Sequence, residues 1–265
     1  MPAVETAHTT AGADDPRVID WPGEYVQSLD RGLAVIRSFT GTSGRLTIAD
    51  VARGTGLTRA SVRRSLHTLR TLGYVGSADG RFFLQPRVLE LGYAYLSSAS
   101  IPVVAREHLV RLSERLGASC SMSVLDGADI LYVARAQTQR TADVSVGARR
   151  PAVATSMGRV LLAGLADDAL DEQLDAADQE HWEPGELREV VGEVRRQGFA
   201  LIDQEVVAGQ RSVAAPVRDV TGRVVAAVAV SDDAARVTME HLRGTYRREL
   251  VQTARNISYG LAARG

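Results

Sequence analysis

The 265-residue chain is long enough for two domains, and its composition is that of a globular protein. Its formal net charge is only −1, so the total charge does not indicate a nucleic-acid partner. A single cysteine excludes an internal disulfide framework and is typical of a reducing cytoplasm. No apolar run reaches the length of a membrane span and no signal-peptide pattern opens the chain, so we expect a cytoplasmic protein without a membrane partner.

The charges are distributed unevenly along the chain. Between Ser28 and Gly92 there are ten arginines and four acidic residues, a surplus of six positive charges. The remainder of the chain is therefore acidic. This asymmetry indicates a nucleic-acid-binding module joined to a second domain of different function.

The chain opens with a polar segment, residues 1–24, which we expect to be a disordered tail. A first helix is predicted over Ser28–Thr40. It is expected to pack behind the helices that follow through four apolar residues at helical spacing: Leu29, Leu33, Ile36 and Phe39.

Two further helices are predicted on either side of a glycine-containing break at Gly54–Gly56. Thr47–Asp50 matches the capping-box pattern of a helix start. The second helix, Leu57–Leu72, carries apolar residues on one face and arginines on the other, with Thr58 as its N-cap. Alone, this pattern also fits a solvated surface helix. The short helix and the turn before it favour a helix-turn-helix.

The segment Gly73–Leu84 predicts a β-hairpin turned at Asp79-Gly80, which would be the wing of a winged helix-turn-helix that binds double-stranded DNA. We expect Arg64 to read a base edge, and Arg45 and Arg81 to contact phosphates. The candidate DNA-contacting residues are Arg45, Thr58, Arg59, Ala60, Ser61, Arg63, Arg64, His67 and Arg81.

Pro86 marks a predicted domain boundary, which gives a DNA-binding domain over 25–86, a linker helix over 87–100 and a larger domain over 101–265. Leu89, Tyr93 and Leu96 follow one side of the linker helix. They fit either a dimer interface or a stripe that faces a core.

The larger domain mixes helices with antiparallel strands, which predicts an α+β fold. Helices are predicted over 102–116, 156–165, 167–174, 186–197 and 235–262. Strands are predicted over 119–124, 130–133, 143–146 and 199–203, with a hairpin of 211–218 and 224–230 turned at Thr221-Gly222.

Patterns of catalytic and metal sites are missing from the sequence. The five histidines do not fall at metal-ligand spacings, and one cysteine cannot form a thiolate zinc site. Cys120 lies on an alternating strand, where packing is the favoured interpretation over a nucleophile. No phosphate-binding or nucleophile-elbow motif is present. We therefore predict no cofactor and no metal, and an enzyme is the weakest of the readings considered.

Six stretches together make the chain resemble the IclR family of bacterial transcriptional regulators, from about Tyr25 to Ala263. They are VQSLDRGLAVIRSF (26–39), LTRASVRRSLHTL (57–69), DGRFFL (79–84), VLELGYAYLSS (88–98), ATSMGRVLLA (154–163) and QRSVAAPVRDVTGRVVAAVAVS (210–231). Within the family it looks most like the regulators of protocatechuate and β-ketoadipate catabolism.

The resemblance implies a winged helix-turn-helix joined to an effector-binding domain, built on a curved antiparallel sheet flanked by helices (GAF/profilin-like). It also implies a homodimer or dimer of dimers on a pseudo-palindromic operator. The effector would be a small organic acid, either an aromatic acid or a ring-cleavage product. The effector-pocket positions carried over are Ser156, Met157, Asp203, Ser212, Ala229 and Ser231.

A buried carboxylate needs hydrogen-bond donors, which the serines and the first amides of the helix at Ser156 would supply. Arg135, Arg149 and Arg211 are candidates for an added cationic partner. Asp203 would repel a carboxylate, so we expect it to accept from backbone amides or from a ligand hydroxyl. Two other readings stay open: a ligand-independent DNA-binding protein whose second domain only oligomerises, and an enzyme.

Overall fold

The computed structural model describes residues 25–39, 44–92, 100–137, 145–175, 182, 185–205 and 207–263. The chain divides into two compact units, residues 1–94 and 95–265. No helix in the described ranges is long and apolar enough to cross a membrane.

The N-terminal unit is a winged helix-turn-helix, as predicted. Its helices are α1 (Gln27–Arg37), α2 (Ile48–Thr55) and α3 (Arg59–Thr71). Its two antiparallel wing strands are β1 (Val75–Ala78) and β2 (Arg81–Leu84).

Local hydrogen bonds fix the ends of these elements. The Thr47 hydroxyl accepts from the Asp50 amide at 3.2 Å, and the Asp50 carboxylate accepts from the Thr47 amide at 3.0 Å, which completes the predicted capping box. Thr58 caps α3 by accepting from the Ser61 amide at 3.2 Å. The wing turns at Asp79 and Gly80, whose φ angles of 50° and 70° are those of a type I′ hairpin turn.

The core of this unit confirms the buried face of α3 and part of the face predicted for α1. Val62, Leu66 and Leu69 of α3 are buried, as their spacing predicted. Leu29 and Leu33, in contrast, are 62 % and 43 % exposed. Phe39 is buried and Ile36 packs against the same core, as predicted. Val35 is buried as well, because the C-terminal half of α1 packs against α3.

After the wing, the backbone forms a 3₁₀ turn at Pro86–Val88 and a helical turn over 89–92. Residues 93–99 lie outside the described ranges, and with them most of the predicted linker helix, including Tyr93 and Leu96. Leu89 is largely exposed.

The C-terminal unit is the predicted α+β domain, with a curled six-stranded antiparallel sheet. The strand order across the sheet is β5-β4-β3-β8-β7-β6. The strands are β3 (Ser119–Asp126), β4 (Asp129–Ala136), β5 (Arg149–Pro151), β6 (Ala200–Asp203), β7 (Gln210–Arg218) and β8 (Val224–Asp233). The helices are α4 (Ser100–Leu116), α5 (Ser156–Ala163), α6 (Asp167–Asp175), α7 (Glu186–Gln197) and α8 (Arg247–Ala262).

Two predicted boundaries in this unit were wrong. The strand expected over 143–146 is instead β5, because Val146 and Gly147 form a turn; residues 143 and 144 lie outside the described ranges. The final helix begins at Met239 rather than at 235, since Thr238 caps it by accepting from the His241 amide at 3.2 Å. The helix continues through a short π-helical segment at Leu242–Tyr246 into α8.

The sheet has a buried core on each face. Successive side chains of a strand point to opposite faces. Met122, Val213 and Val228 therefore belong to a core shared with α4 and α8, while their neighbours on the strands pack beneath α5 and α7. The small residues Ala214 and Ala229 are on the α5 side.

The helix α5 lies close to the segment before it because position 158 is a glycine. A Cβ atom on Gly158 would come within 2.0 Å of the carbonyl oxygen of Ala152 and 2.4 Å of its Cα. Both atoms belong to the backbone, so neither can move aside without displacing the chain. Gly192 in α7 differs, because the nearest atom to its added Cβ is the flexible end of Arg196 at 3.6 Å.

We therefore expect Gly158→Ala to lower the free energy of unfolding by about 1–3 kcal/mol through overpacking. Gly192→Ala should raise it by up to about 1 kcal/mol, since alanine is the better helix former. Urea denaturation of both variants measures the difference. A Gly158→Ala protein as stable as the wild type would contradict the close approach.

Candidate functional site

The arginine-rich face of α3 is presented to solvent in the N-terminal unit. Burial of Val62, Leu66 and Leu69 on one side leaves the opposite side exposed. No ion pair holds Arg59, Arg63 or Arg64 within the described residues. The exposed candidates for DNA contact on this helix and its cap are Thr58, Arg59, Ala60, Arg63, Arg64 and His67.

Ser61 does not share this placement. Its side chain is only 7 % exposed and lies on the packed side of α3. Its amide donates to the Thr58 cap. A contact of the Ser61 side chain with DNA, as predicted, does not fit this burial. In the structure, Ser61 contributes to the start of α3 through the hydrogen bond from its amide to Thr58.

The wing gathers two further cations. Leu46 pairs with Phe82 through two backbone hydrogen bonds of 2.9 and 2.7 Å, which attaches the segment before α2 to β2. Arg45 lies next to this bridge, with its guanidinium 5.1 Å from the centre of the Phe83 ring. Arg81 is exposed at the start of β2. The bridge therefore brings Arg45 and Arg81 to the same edge of the unit.

Other arginines of this unit have structural partners. Arg53 pairs with Asp50, and Arg70 donates to the Ser77 hydroxyl at 3.3 Å. Arg87 donates to the Leu72 carbonyl at 3.0 Å. Arg53, Arg70 and Arg87 therefore have contacts within the unit, whereas Arg59, Arg63 and Arg64 are exposed without an ion pair among the described residues.

In the C-terminal unit, three neighbouring strands carry serines side by side. Ser119 of β3 is opposite Ser231 of β8, which is opposite Ser212 of β7. Directly opposite residues in an antiparallel sheet share a face, about 4.5–5.5 Å apart between Cβ atoms. We call this side of the sheet the serine face; it consists of Ser119, Ser121, Ser123, Ser212 and Ser231 with Ala214, Ala227 and Ala229.

The N-terminus of α5 rests on the serine face. The Ser156 and Ser212 hydroxyl oxygens are 3.0 Å apart and hydrogen-bond to each other. Ser156 is only 4 % exposed. The next residue, Met157, is buried too, and its sulfur accepts from the Ser123 hydroxyl at 3.4 Å. Thr155 caps the helix by accepting from the Gly158 amide at 3.0 Å.

Five of the six predicted pocket residues therefore come together: Ser156, Met157, Ser212, Ala229 and Ser231. Asp203 does not join them. Ile202 is opposite Ser212 on the serine face, so Asp203, one residue further, points to the other face, opposite Arg211. Its carboxylate accepts from Arg211 Nε at 2.7 Å. Hydrogen bonds from Arg211 and Gln204 hold the pKa of Asp203 below its usual value.

Two of the three candidate cationic partners are also engaged elsewhere. Arg211 lies on the far face and donates to the Ala234 and Val237 carbonyls at 3.1 and 2.7 Å. Arg149 pairs with Asp126 and Asp129 at the β3–β4 turn. Neither arginine is available to a ligand on the serine face.

Arg135 is the candidate that the sheet places on the serine face, because it is opposite Ser121. It is half-buried, and this burial lowers the pKa of its guanidinium. Tyr132, opposite Ser123, lies on the same face, and burial raises the pKa of its hydroxyl. The charges of Arg150 and Arg135 partly offset that rise in pKa.

Tyr132 was missed at the level of the sequence because of a β-bulge. The pairing register shifts between Met122 and Ser123, so that Tyr132 and Arg135, three residues apart, share one face of β4. Simple alternation places them on opposite faces. The sequence carries no clear signal for this bulge.

Cys120 is a core residue, as its strand position predicted. It is fully buried on the face opposite the serines, and burial raises the pKa of its thiol to about 12. A thiol with this pKa remains protonated at neutral pH, so it is a poor nucleophile. In the described part of the chain, no group of three histidine, cysteine, aspartate or glutamate residues is placed to hold a metal ion.

Comparison with known families matches both units. The IclR helix-turn-helix domain corresponds to residues 28–78, and the C-terminal domain of the bacterial transcriptional regulator IclR to residues 93–259.

Individual relatives resemble nearly the whole chain. The Pca regulon regulatory protein of Pseudomonas putida is 39 % identical, with 97 % of this chain and 95 % of the relative aligned. The p-hydroxybenzoate hydroxylase transcriptional activator of Acinetobacter baylyi is 32 % identical, with 83 % and 86 % aligned.

Solved structures share the fold. A crystal structure of a protein from Rhodococcus sp. RHA1 is 50 % identical, with a TM-score of 0.79 over 91 % of this chain and 100 % of that one. An IclR homologue of Microbacterium hydrocarbonoxydans complexed with 4-hydroxybenzoate is 22 % identical, with a TM-score of 0.75 over 88 % and 98 %. With both domains matched and the winged helix-turn-helix in place, this chain belongs to the IclR family of bacterial transcriptional regulators.

Proposed function

We propose that this regulator controls genes of aromatic-acid catabolism by the β-ketoadipate pathway and that a small organic acid bound at the serine face alters its operator binding. The observation that carries the proposal is the contact between Ser156 of α5 and Ser212 of the sheet, 3.0 Å apart, on a face that also holds Arg135. In this proposal the domain binds the acid without transforming it, in the cytoplasm.

The serine face has the chemistry that a buried carboxylate requires. An unpaired buried anion is costly, so its site must supply donors. The hydroxyls of Ser156, Ser212 and Ser231 can donate, and the first amides of α5 favour negative charge. Arg135 adds a charge-assisted hydrogen bond. Tyr132 offers an aromatic surface on which the ring of an aromatic acid can pack.

The relatives support the aromatic class of ligand. Two of them are regulators named for the Pca regulon and for p-hydroxybenzoate hydroxylase. A structural neighbour with the same fold is complexed with 4-hydroxybenzoate. An aromatic acid or its ring-cleavage product is therefore the ligand class that we propose here.

For the serine-face site, we expect Ser212→Ala combined with Ser231→Ala to weaken binding of the cognate acid at least tenfold, about 1.4 kcal/mol. Removing the charge in Arg135→Gln should have an effect of the same direction. Calorimetric titration of the full chain with protocatechuate, 4-hydroxybenzoate and β-ketoadipate measures this.

Asp203→Asn is the matched control, because Asp203 lies on the opposite face. Its affinity for the acid should stay within twofold of the wild type. Undiminished binding by the double serine variant, or a loss confined to Asp203→Asn, would place the ligand elsewhere.

For operator binding, α3 is the element that we expect in the major groove. Arg64 is exposed and has no ion-pair partner among the described residues, so its guanidinium is available for a bidentate contact with guanine. Arg45 and Arg81 at the wing are suited to phosphates.

Arg64→Ala should weaken operator binding by about 1–3 kcal/mol, and it should weaken binding to random duplex less. Arg53→Ala removes the same charge from an arginine already paired with Asp50, so it serves as the control. Fluorescence anisotropy with both duplexes measures the two losses. Equal losses on operator and random DNA would make Arg64 a phosphate contact.

We further propose that the protein acts as a homodimer, or a dimer of dimers, on a pseudo-palindromic operator. One recognition helix covers few base pairs, and a two-fold dimer reads two half-sites. An exposed apolar surface, formed by Leu29 and Leu33 of α1 with Tyr25 and Val26 just before it, is available for this contact. Leu89 after the wing is a second exposed apolar residue.

Charges placed on α1 in a Leu29→Glu/Leu33→Glu variant should therefore shift the protein toward monomer and reduce its operator affinity. Sedimentation velocity at micromolar concentration measures the shift. Val220→Glu, in an exposed turn of the C-terminal unit, is the control and should leave the oligomer intact. A wild-type monomer in this experiment would refute the dimer.

A further inference from the structure

The C-terminal unit contains a groove at the edge of its sheet. Strand β6 is the last strand in the sheet order, so its outer edge has no partner strand in the described part of the chain. Residues of α7, of the Phe199–Leu201 segment and of the start of the C-terminal helix line the groove. Its volume is about 640 Å³, which falls within the usual range for small-molecule sites.

The walls of the groove combine apolar side chains with arginines. Val190 and Val194 of α7 and Leu201 of β6 supply apolar surface. Arg243 and Arg247 reach the groove from the C-terminal helix. The guanidinium of Arg247 lies 5.0 Å from the centre of the Phe199 ring, which restricts its orientation before any ligand binds.

A third arginine also lines the groove, but an ion pair offsets its charge. Arg159 of α5 is only 4 % exposed, and it donates to the Val153 carbonyl at 3.0 Å and pairs with Glu205. The one acidic residue that lines the groove is Glu193, and it already pairs with Arg196. The surplus of positive charge in the lining therefore comes from Arg243 and Arg247.

The backbone that carries Arg243 is unusual. Arg243 lies in the short π-helix Leu242–Tyr246, and π-helical segments are frequent at functional sites. Leu242 and Tyr246 are both buried, and the Tyr246 hydroxyl donates to Asp232 at 2.8 Å. These two buried residues hold the π-helix in place. Arg243 follows the first of them and Arg247 follows the second, and both arginines line the groove.

From this arrangement we propose that the groove is a second ligand site, which binds a small carboxylate with an apolar body. The carboxylate accepts hydrogen bonds from Arg243 and Arg247, and the apolar body contacts Val190, Val194 and Leu201. Guanidinium groups suit this ligand because they donate two parallel N–H groups to a carboxylate.

The groove has no lining residue in common with the serine face, so this proposal stands independently of the proposed effector site. Two helices, α5 and α7, lie at both regions. The first residue of α5, Ser156, contacts the serine face, and Arg159, three residues later, contributes to the groove.

The groove has a built-in spectroscopic probe. The guanidinium of Arg159 lies 5.0 Å from the centre of the Trp182 ring. The chain contains two tryptophans, so a Trp21→Phe protein reports on Trp182 alone. In that background we would titrate the full chain with cyclohexanecarboxylate, and with cyclohexanecarboxamide as its uncharged counterpart. Neither ligand absorbs where tryptophan is excited.

We expect a saturable fluorescence change with the carboxylate and at least tenfold weaker binding of the amide. Arg243→Gln/Arg247→Gln should weaken carboxylate binding at least tenfold. Arg248→Gln/Arg255→Gln removes the same charge from exposed positions of the same helix and should leave the affinity unchanged. Arg243→Glu alone, at an exposed position, tests the site without altering the Arg247–Phe199 contact.

Three outcomes would overturn the proposal. The first is equal affinity in the groove variants and the Arg248/Arg255 control. The second is equal binding of the carboxylate and the amide. The third is loss of the fluorescence response in Ser212→Ala/Ser231→Ala, which would assign the signal to the serine face. Retention of the response in that variant supports a separate groove site even if the proposed effector site is wrong.

Discussion

The C-terminal unit depends on one constraint: its sheet must be covered on both faces, and each strand distributes its side chains between them. One face is apolar and is packed by α4 and α8. The other is built from serines and alanines beneath α5. The small side chains on this second face leave room for α5, and Gly158 lets that helix approach the backbone at Ala152. The same small residues therefore determine both how α5 packs on the sheet and where the candidate site lies.

Features governed by local chemistry could be predicted from the sequence. The capping box at Thr47, the N-cap at Thr58 and the Asp79-Gly80 turn each involve residues within four positions of one another. The buried face of α3 followed from helical spacing because its apolar residues lie on one side only. For the first helix, spacing identified Ile36 and Phe39 but was wrong for Leu29 and Leu33, because apolar residues lie on more than one side of α1.

Features governed by strand register were not accessible in this way. Asp203 and Arg211 were expected near the effector. Each lies one position along the strand from a residue of the serine side, Ile202 and Ser212, so both point to the opposite face. The bulge in β4 brings Tyr132 and Arg135 onto one face, which alternation does not predict. The sequence also gave no means of separating arginines with partners, such as Arg53, from those without. Register and pairing are long-range properties that depend on the neighbouring strand.

The contact between Ser156 and Ser212 suits a site that must exist with and without its ligand. A buried hydroxyl without a partner would cost about 1–3 kcal/mol. Without ligand, one of the two hydroxyls donates to the other at 3.0 Å, so each has a hydrogen-bond partner. In the proposed site a carboxylate would accept from both, which replaces one neutral hydrogen bond by two charge-assisted ones, each roughly twice as strong. Both hydroxyls keep a hydrogen-bond partner in either state, and the proposed exchange would act on the N-terminus of α5. A ligand shifts a conformational equilibrium only through such a difference between states.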